Sequence, residues 1–324
     1  MASIIPTERN SPQSPTVKSD YGKRKNLLNK IKSQKILLLF LIPAMIAVFV
    51  FNYLPLVGLS ISFLNYQPAK GLFGSDFAGL EHFRTFLKDP EFYSALKNTL
   101  GIGGLLLLFG YPAPIFLALM IDNVRNARFK KVTQSVTYLP HFISWVIFSG
   151  LVYEMLDVDN GIINVILMKL GIEPISFMSS QNYFWTILVS SSILKEIGWG
   201  TILYLAAISA INPEEYEAAS VDGAGKLARI WHVTIPGIAP TMVLVFLLSL
   251  GGLLSVNFDA IYNMINPLVQ PKAEVLGYYT FRTGIMLGKY SYSTAIELVN
   301  SLISFLIVLI SLKIAKRFAD YSVI

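Results

Sequence analysis

Cysteine is absent from the 324 residues, which excludes disulfides, thiol nucleophiles and thiolate metal sites together. Charge is scarce as well. Asp, Glu, Lys and Arg make up 14% of the chain, against about a quarter of an ordinary soluble domain. Only three histidines occur, His82, His141 and His232. They lie far apart, so no metal-ligand spacing and no nucleophile–base arrangement can be read. A cleavable leader is not expected either. Residues 1–35 are polar and basic, with Pro6, Pro12 and Pro15 ahead of Lys23, Arg24, Lys25, Lys30, Lys32 and Lys35, where a leader needs a short apolar core and a small-residue cleavage site.

What the chain has in quantity is apolar sequence: 54% of its residues, gathered into long runs. A spanning helix needs about 20 mostly apolar residues. Segments 36–60, 97–121, 133–156, 183–209, 236–258 and 292–314 meet that rule. The expected fold is therefore all-α, a polytopic membrane protein of about six transmembrane helices. Pro112 and Pro114 predict a kink in the second span. The net charge of +6 does not point to nucleic acid, because the basic residues cluster beside the apolar runs. With the N-terminus inside, the inner segments carry 17 Lys and Arg and the outer ones 8. That asymmetry places both termini in the cytoplasm. The expected organisation is a basic tail over 1–35, a first helix and external segment over 36–96, a core over 97–315 and a short tail over 316–324.

Between the fourth and fifth spans, on the predicted cytoplasmic side, residues 217–236 read EAASVDGAGKLARIWHVTIP. Asn212-Pro213-Glu214-Glu215 is a helix start, with Asn212 as N-cap, proline at the first helical position and Glu215 placed to complete a capping box. The helix should run to about Val221 and break at Asp222-Gly223. A second short helix is expected from about Gly225 to Val233, with Pro236 opening the next span. Ala218, Ala219, Gly223 and Ala224 give this cytoplasmic helix–turn–helix a small-residue face that another surface can approach closely. Its four acids, Glu214, Glu215, Glu217 and Asp222, oppose the basic trend of inner loops, so it reads as a docking element. Gly223-Ala224-Gly225-Lys226 is no phosphate loop. Ser220 stands where the first glycine is required, and Leu227 where Ser or Thr should hold magnesium.

Glu-Ala-Ala, then Asp-Gly-Ala, then Ile235-Pro236 resembles the EAA signature of permease subunits of bacterial ATP-binding-cassette importers. Asn98-Thr99-Leu100, TYLPHFISWV at 137–146, the run 198–224 and KYSYSTAIELVNSLISF at 289–305 are similar to the carbohydrate-importer branch, especially its polysaccharide-type members. The resemblance implies that Glu217, Ala218, Ala219, Asp222, Gly223 and Ala224 belong to a coupling helix, within the segment 212–236, seated on an ATPase subunit. It implies a second homologous permease, two ATP-binding subunits that hold ATP and magnesium, an external solute-binding protein, and a saccharide cargo such as alginate. This chain itself would be no enzyme and carry no cofactor.

Two polar islands interrupt the spans. Lys195 and Glu196 fall near the middle of the fourth, with Trp199 one turn on. Charges there cost about 2.5–3.5 kcal/mol on insertion scales, so they should face a wet cavity or pair within the bundle. Asn257, Asp259, Tyr262 and Asn263 cluster at the end of the fifth; they line the solute path or mark the helix's watery exit. Glu297 and Asn300 in the sixth are weaker candidates of the same kind. A proton-coupled carrier using Lys195 and Glu196 as a relay, and a permease for a non-sugar solute, stay open at this stage.

Overall fold

The computed structural model describes residues 34–318, so the basic tail over 1–33 and the last residues, 319–324, lie outside the described residues. The chain divides into two units, one ending at Gly58 and one beginning at Leu59. In the first lies α1, Lys35–Val48, which continues through a π turn, Phe49–Tyr53, into a 3₁₀ segment that ends at Phe63. Its side chains are apolar and exposed, as for Phe40 and Phe51, which suits a helix solvated by lipid tails.

The second unit begins within that 3₁₀ segment, at Leu59, and continues with a short antiparallel pairing of β1, Leu64–Asn65, with β2, Asp76–Phe77. Then follow α2 (Glu81–Phe86), α3 (Pro90–Leu105) and α4 (Pro112–Asp122). Next come α5 (Ala127–Tyr138), α6 (Trp145–Met155), α7 (Ile162–Lys169) and the 29-residue α8 (Gln181–Ser209). The series ends with α9 (Pro213–Val221), α10 (Lys226–Arg229), α11 (Ile235–Gly251), α12 (Phe258–Met264), α13 (Gln270–Ala273), α14 (Leu276–Phe281) and α15 (Tyr290–Phe318).

Among the described residues four stretches are continuous and apolar enough to span, Leu39–Phe63, Pro90–Asp122, Lys226–Gly251 and Tyr290–Lys313. Two bent pairs bring the number of candidate spans to six. The prolines decide which of these helices stay continuous. A π turn closes two residues before each of Pro55, Pro112 and Pro236. The residue ahead of each proline donates five positions back, Leu54 to Phe49 O, Tyr111 to Leu106 O and Ile235 to Ile230 O. Widening the turn moves away the carbonyl that the proline ring would strike, so the helix carries on. The second span is therefore unbroken. The expected second short helix over 225–233 is likewise not separate, for α10 runs through its π turn into α11 as one helix.

The third span is the reverse case. A 107° bend separates Ala127–Phe142 from Trp145–Met155. Pro140 leaves only a short 3₁₀ segment there, and the Ser144 hydroxyl accepts from Ile147 N to start α6 afresh.

Three buried clusters hold the second unit. One joins Ile102, Trp145, Leu188, Ile261 and Val269; one joins Phe86, Phe92, Tyr279 and Ile296; one joins Ile115, Tyr204 and Ile238. Asn98 and Thr99 pin the polar segment 266–276 onto α3. Asn98 Nδ2 donates to Pro271 O and Glu274 O at 3.0 and 2.9 Å, and Thr99 Oγ1 accepts from Leu276 N at 2.8 Å. Three backbone groups at the ends of α13 and α14 are satisfied in this way, as burial requires.

Candidate functional site

The segment between α8 and α11 folds as a capped helix. The Asn212 side chain accepts from Glu214 N at 3.1 Å, so the cap closes on Glu214; the expected capping box through Glu215 does not form. At the far end Gly223 takes φ +78°, the left-handed region. Ala224 N donates to Ala219 O and Gly223 N to Ser220 O, the pair of bonds of a Schellman end. Arg229 reaches Ser220 Oγ at 3.2 Å, and Tyr216 and Thr234 share a hydroxyl contact at 3.0 Å. Both fasten α9 to the base of the next span. Glu217, Ala218, Asp222 and Gly223 are exposed, Ala219 and Ala224 half-buried, and Val221 87% exposed. The capped helix thus presents an exposed apolar side chain, Val221, at its end.

Eleven to fourteen residues before α8 ends, its middle turn grips the elbow between α5 and α6. Gly198 has no Cβ where one would strike the Thr137 carbonyl, so the two backbones meet. The Lys195 ammonium donates to Pro140 O at 3.2 Å, which also accepts from Ile143 N, and to His141 O at 2.8 Å, so it satisfies carbonyls at the end of the broken helix. Lys195 is only 4% exposed, with the Trp145 ring 5.7 Å from its nitrogen. Glu196 Oε2 lies 2.7 Å from His141 Nδ1, and Glu196 Oε1 lies 3.8 Å from Lys195. The His141 ring stacks on Trp199 at 4.4 Å with the planes 3° apart.

Glu196 and Trp199 then face a cavity of about 550 Å³ between α3, α4, α8 and α11, with Asn257 also in its wall. Tyr111, Tyr204 and Ser249 add hydroxyls to a mostly apolar wall. The predicted polar residues thus separate. Glu196, Trp199 and Asn257 line the cavity; Lys195 is behind it, in the elbow. Asn257 also accepts from Ala260 N as the N-cap of α12. Asp259, Tyr262 and Asn263 lie farther along α12 and do not line this cavity. There Asn263 Nδ2 donates to Asp259 O, and Tyr262 stacks on Phe258. Sequence reasoning missed His141. It was one of three scattered histidines, and only the elbow brings it to Glu196, 55 positions away.

A second polar layer locks the ends of α3, α14 and α15. Asp89 Oδ2 accepts from the hydroxyls of Tyr279 and Tyr292 at 2.8 and 2.7 Å. Burial works against the Asp89 charge, but these two bonds and the backbone N–H groups of Glu91 and Phe92 outweigh it and hold the carboxyl below its ordinary range. Arg282 bonds Glu274 at 2.6 Å and Glu91 at 2.7 Å, and these carboxylates overcome its burial to keep it firmly charged.

The family described as binding-protein-dependent transport system inner membrane component matches residues 110–320. Protein LplB of Bacillus subtilis (strain 168) is 39% identical over 314 residues, 97% of each chain. The polygalacturonan/rhamnogalacturonan transport system permease protein YteP of the same strain is 40% identical over 298 residues, covering 92% of this chain and 93% of its own. Among solved structures, a bacterial ABC transporter involved in the import of the acidic polysaccharide alginate has a chain that superposes with a TM-score of 0.84. It is 37% identical, and the match covers 91% of this chain and 99% of that one.

Proposed function

This chain belongs to the family of binding-protein-dependent transport system inner membrane components, and from that premise we propose that it forms half of the path by which an ATP-driven importer moves an oligo- or polysaccharide inward. The single observation that carries the reading is the continuity of α8. One helix presents Glu196 and Trp199 to the cavity, and after a gap of three residues the capped helix α9 starts. From Trp199 to Ser209 is about 15 Å of rigid rod.

In this reading Glu217, Ala218, Ala219, Asp222, Gly223 and Ala224 seat in a separate ATPase subunit. Closure of the ATPase pair on ATP and magnesium moves α9, and α8 carries that motion to the cavity. Only contacts that differ between the inward- and outward-open states can drive the exchange, and a helix stiffened at both ends transmits them. Glu196, Trp199 and Asn257 touch the solute: an indole face for a sugar ring, a carboxylate and an amide for its hydroxyls. Lys195 supports them by holding the elbow. Asp259, Tyr262 and Asn263 border the path farther along α12. A second permease, a solute-binding protein on the outer face, and termini in the cytoplasm complete the assembly. The sugar assignment draws on the relatives. YteP is named for polygalacturonan and rhamnogalacturonan, the superposed transporter for alginate, and an arabinooligosaccharide permease of B. subtilis is 27% identical over 284 residues. A proton relay through Lys195 is disfavoured, because its ammonium is tied to two carbonyls.

The test is purification of the complex from membranes followed by ATP hydrolysis with alginate, polygalacturonan, rhamnogalacturonan and arabinan oligosaccharides. Stimulation by at least one of these is expected, and Glu217→Ala combined with Gly223→Val should leave hydrolysis while abolishing uptake. A complex that purifies without an ATPase, or responds to no saccharide, defeats the proposal.

A further inference from the structure

Glu297 is the eighth residue of α15, about 10 Å along the axis from Tyr290, inside the span Tyr290–Lys313. A carboxylate at that depth is not left in lipid without a partner, since the cost is about 2.5–3.5 kcal/mol. Yet among the described residues it forms no ion pair. Among the described residues its hydrogen bond comes from the Thr280 hydroxyl, 2.6 Å from Oε1. The carboxylate borders a pocket of about 430 Å³ that Phe258, Phe281, Thr280 and Thr294 also line.

The chemistry of this pocket is specific. The Phe258 and Phe281 rings meet at 5.1 Å and 68°, forming a corner. Tyr262 braces both, stacked on Phe258 at 5.5 Å and edge-on to Phe281 at 5.8 Å. The corner is therefore built before any ligand arrives. The polar groups are acceptors. Ser293 and Thr294 spend their hydroxyl protons on Tyr290 O, at 3.0 and 2.8 Å, and Thr280 spends its own on Glu297. A ligand must bring O–H donors to one side and C–H faces to the other, which is the description of a sugar ring. A basic side chain of the neighbouring permease would satisfy Glu297 as well. What favours the solute is position: Asn257 lines the first cavity and the next residue, Phe258, lines this pocket. The N-terminus of α12 borders both.

We propose that the pocket between α12, α14 and α15 is a second saccharide subsite, in which Phe258 and Phe281 take the ring face and Glu297 the hydroxyls of a sugar unit beyond the one at Trp199. The inference rests on the reading of the chain as a saccharide permease and adds to it that the cargo enters as a chain of several units. The whole complex, with its binding protein, is assayed for ATP hydrolysis stimulated by disaccharide and pentasaccharide fractions of alginate, polygalacturonan and arabinan. Glu297→Gln and Phe281→Leu should each raise the half-maximal pentasaccharide concentration roughly five- to thirtyfold, the loss of one good polar or ring contact. The disaccharide response should stay as in the wild type. Comparing each variant with wild type at each length cancels the preference of the binding protein. Equal shifts at both lengths, or none, overturn the subsite while leaving the importer reading intact. Loss of the second permease from the Glu297→Gln complex would assign the carboxylate to a subunit contact and overturn it too. Silence of the wild-type complex toward every fraction overturns both readings.

Discussion

Replacing Lys195 by methionine separates two roles that one charged residue in a span can have. Methionine keeps the unbranched stem and most of the volume, so the apolar packing against Trp145 survives. What goes is the ammonium on Pro140 O and His141 O, at 3.2 and 2.8 Å. Hydrogen bonds from a charged donor are worth about 1.5–3 kcal/mol each, and breaking a buried charged arrangement costs about 3–5 kcal/mol. Against that stands the desolvation of the lysine, which the substitution removes. The contact with Glu196 at 3.8 Å adds little, since that carboxylate side chain is 47% exposed. The balance is a loss of about 2–4 kcal/mol, localised at the elbow. At about 2–4 °C per kcal/mol, the rate for large domains, the unfolding midpoint of the purified complex should fall by roughly 4–16 °C. Uptake by the surviving complex at low temperature should stay within about threefold of wild type, because Lys195 does not line the cavity. A Lys195→Met complex with unchanged thermal stability and no uptake would refute the reasoning and put the ammonium on the solute path.

Three further outcomes follow from the geometry. Gly223→Val forces a β-branched residue into φ +78°, which should cost about 1–2 kcal/mol or more; its signature is α9 that exchanges backbone hydrogens faster while α8 does not, measured by hydrogen exchange on the complex. Asn98→Ala strips the donor from Pro271 O and Glu274 O, so residues 270–276 should lose exchange protection worth about 1–3 kcal/mol, and unchanged protection would show that the tie is dispensable. For Asp89 the folded carboxyl lies below its ordinary value. Its contribution is therefore complete above about pH 4 and is lost as pH falls through the folded value; Asp89→Asn should lower stability at neutral pH and flatten the acid limb of the stability profile.

Much of the architecture was legible because it depends on local sequence. Apolar runs located the spans to within a few residues at most ends, and Asn212-Pro213 with Asp222-Gly223 located the cytoplasmic helix, since caps and left-handed glycines are decided within a turn. What each proline does to its helix was less legible. Pro112 and Pro236 stand in helices that continue, because a π turn absorbs each ring, whereas Pro140 marks a real break. The same residue type gives opposite outcomes, and the difference is where the carbonyls find donors: in the widened turn of the same helix at Pro112 and Pro236, and on Lys195 of another helix at the Pro140 elbow.

The candidate site divides along the same line. Composition, the spacing of apolar runs and the capping residues by themselves determined that the chain is a helical membrane protein with a stiff hinge beside the fourth span, since each of these signals is carried by neighbours in sequence. Which polar residues meet was decided by the tertiary structure alone. The 107° elbow carries His141 to Glu196 and Trp199 and buries Lys195, while the packing of α12, α14 and α15 sets Glu297 beside Phe258 and Phe281. A side chain's partner in a bundle is set by where another helix bends, and no window of adjacent residues contains that information.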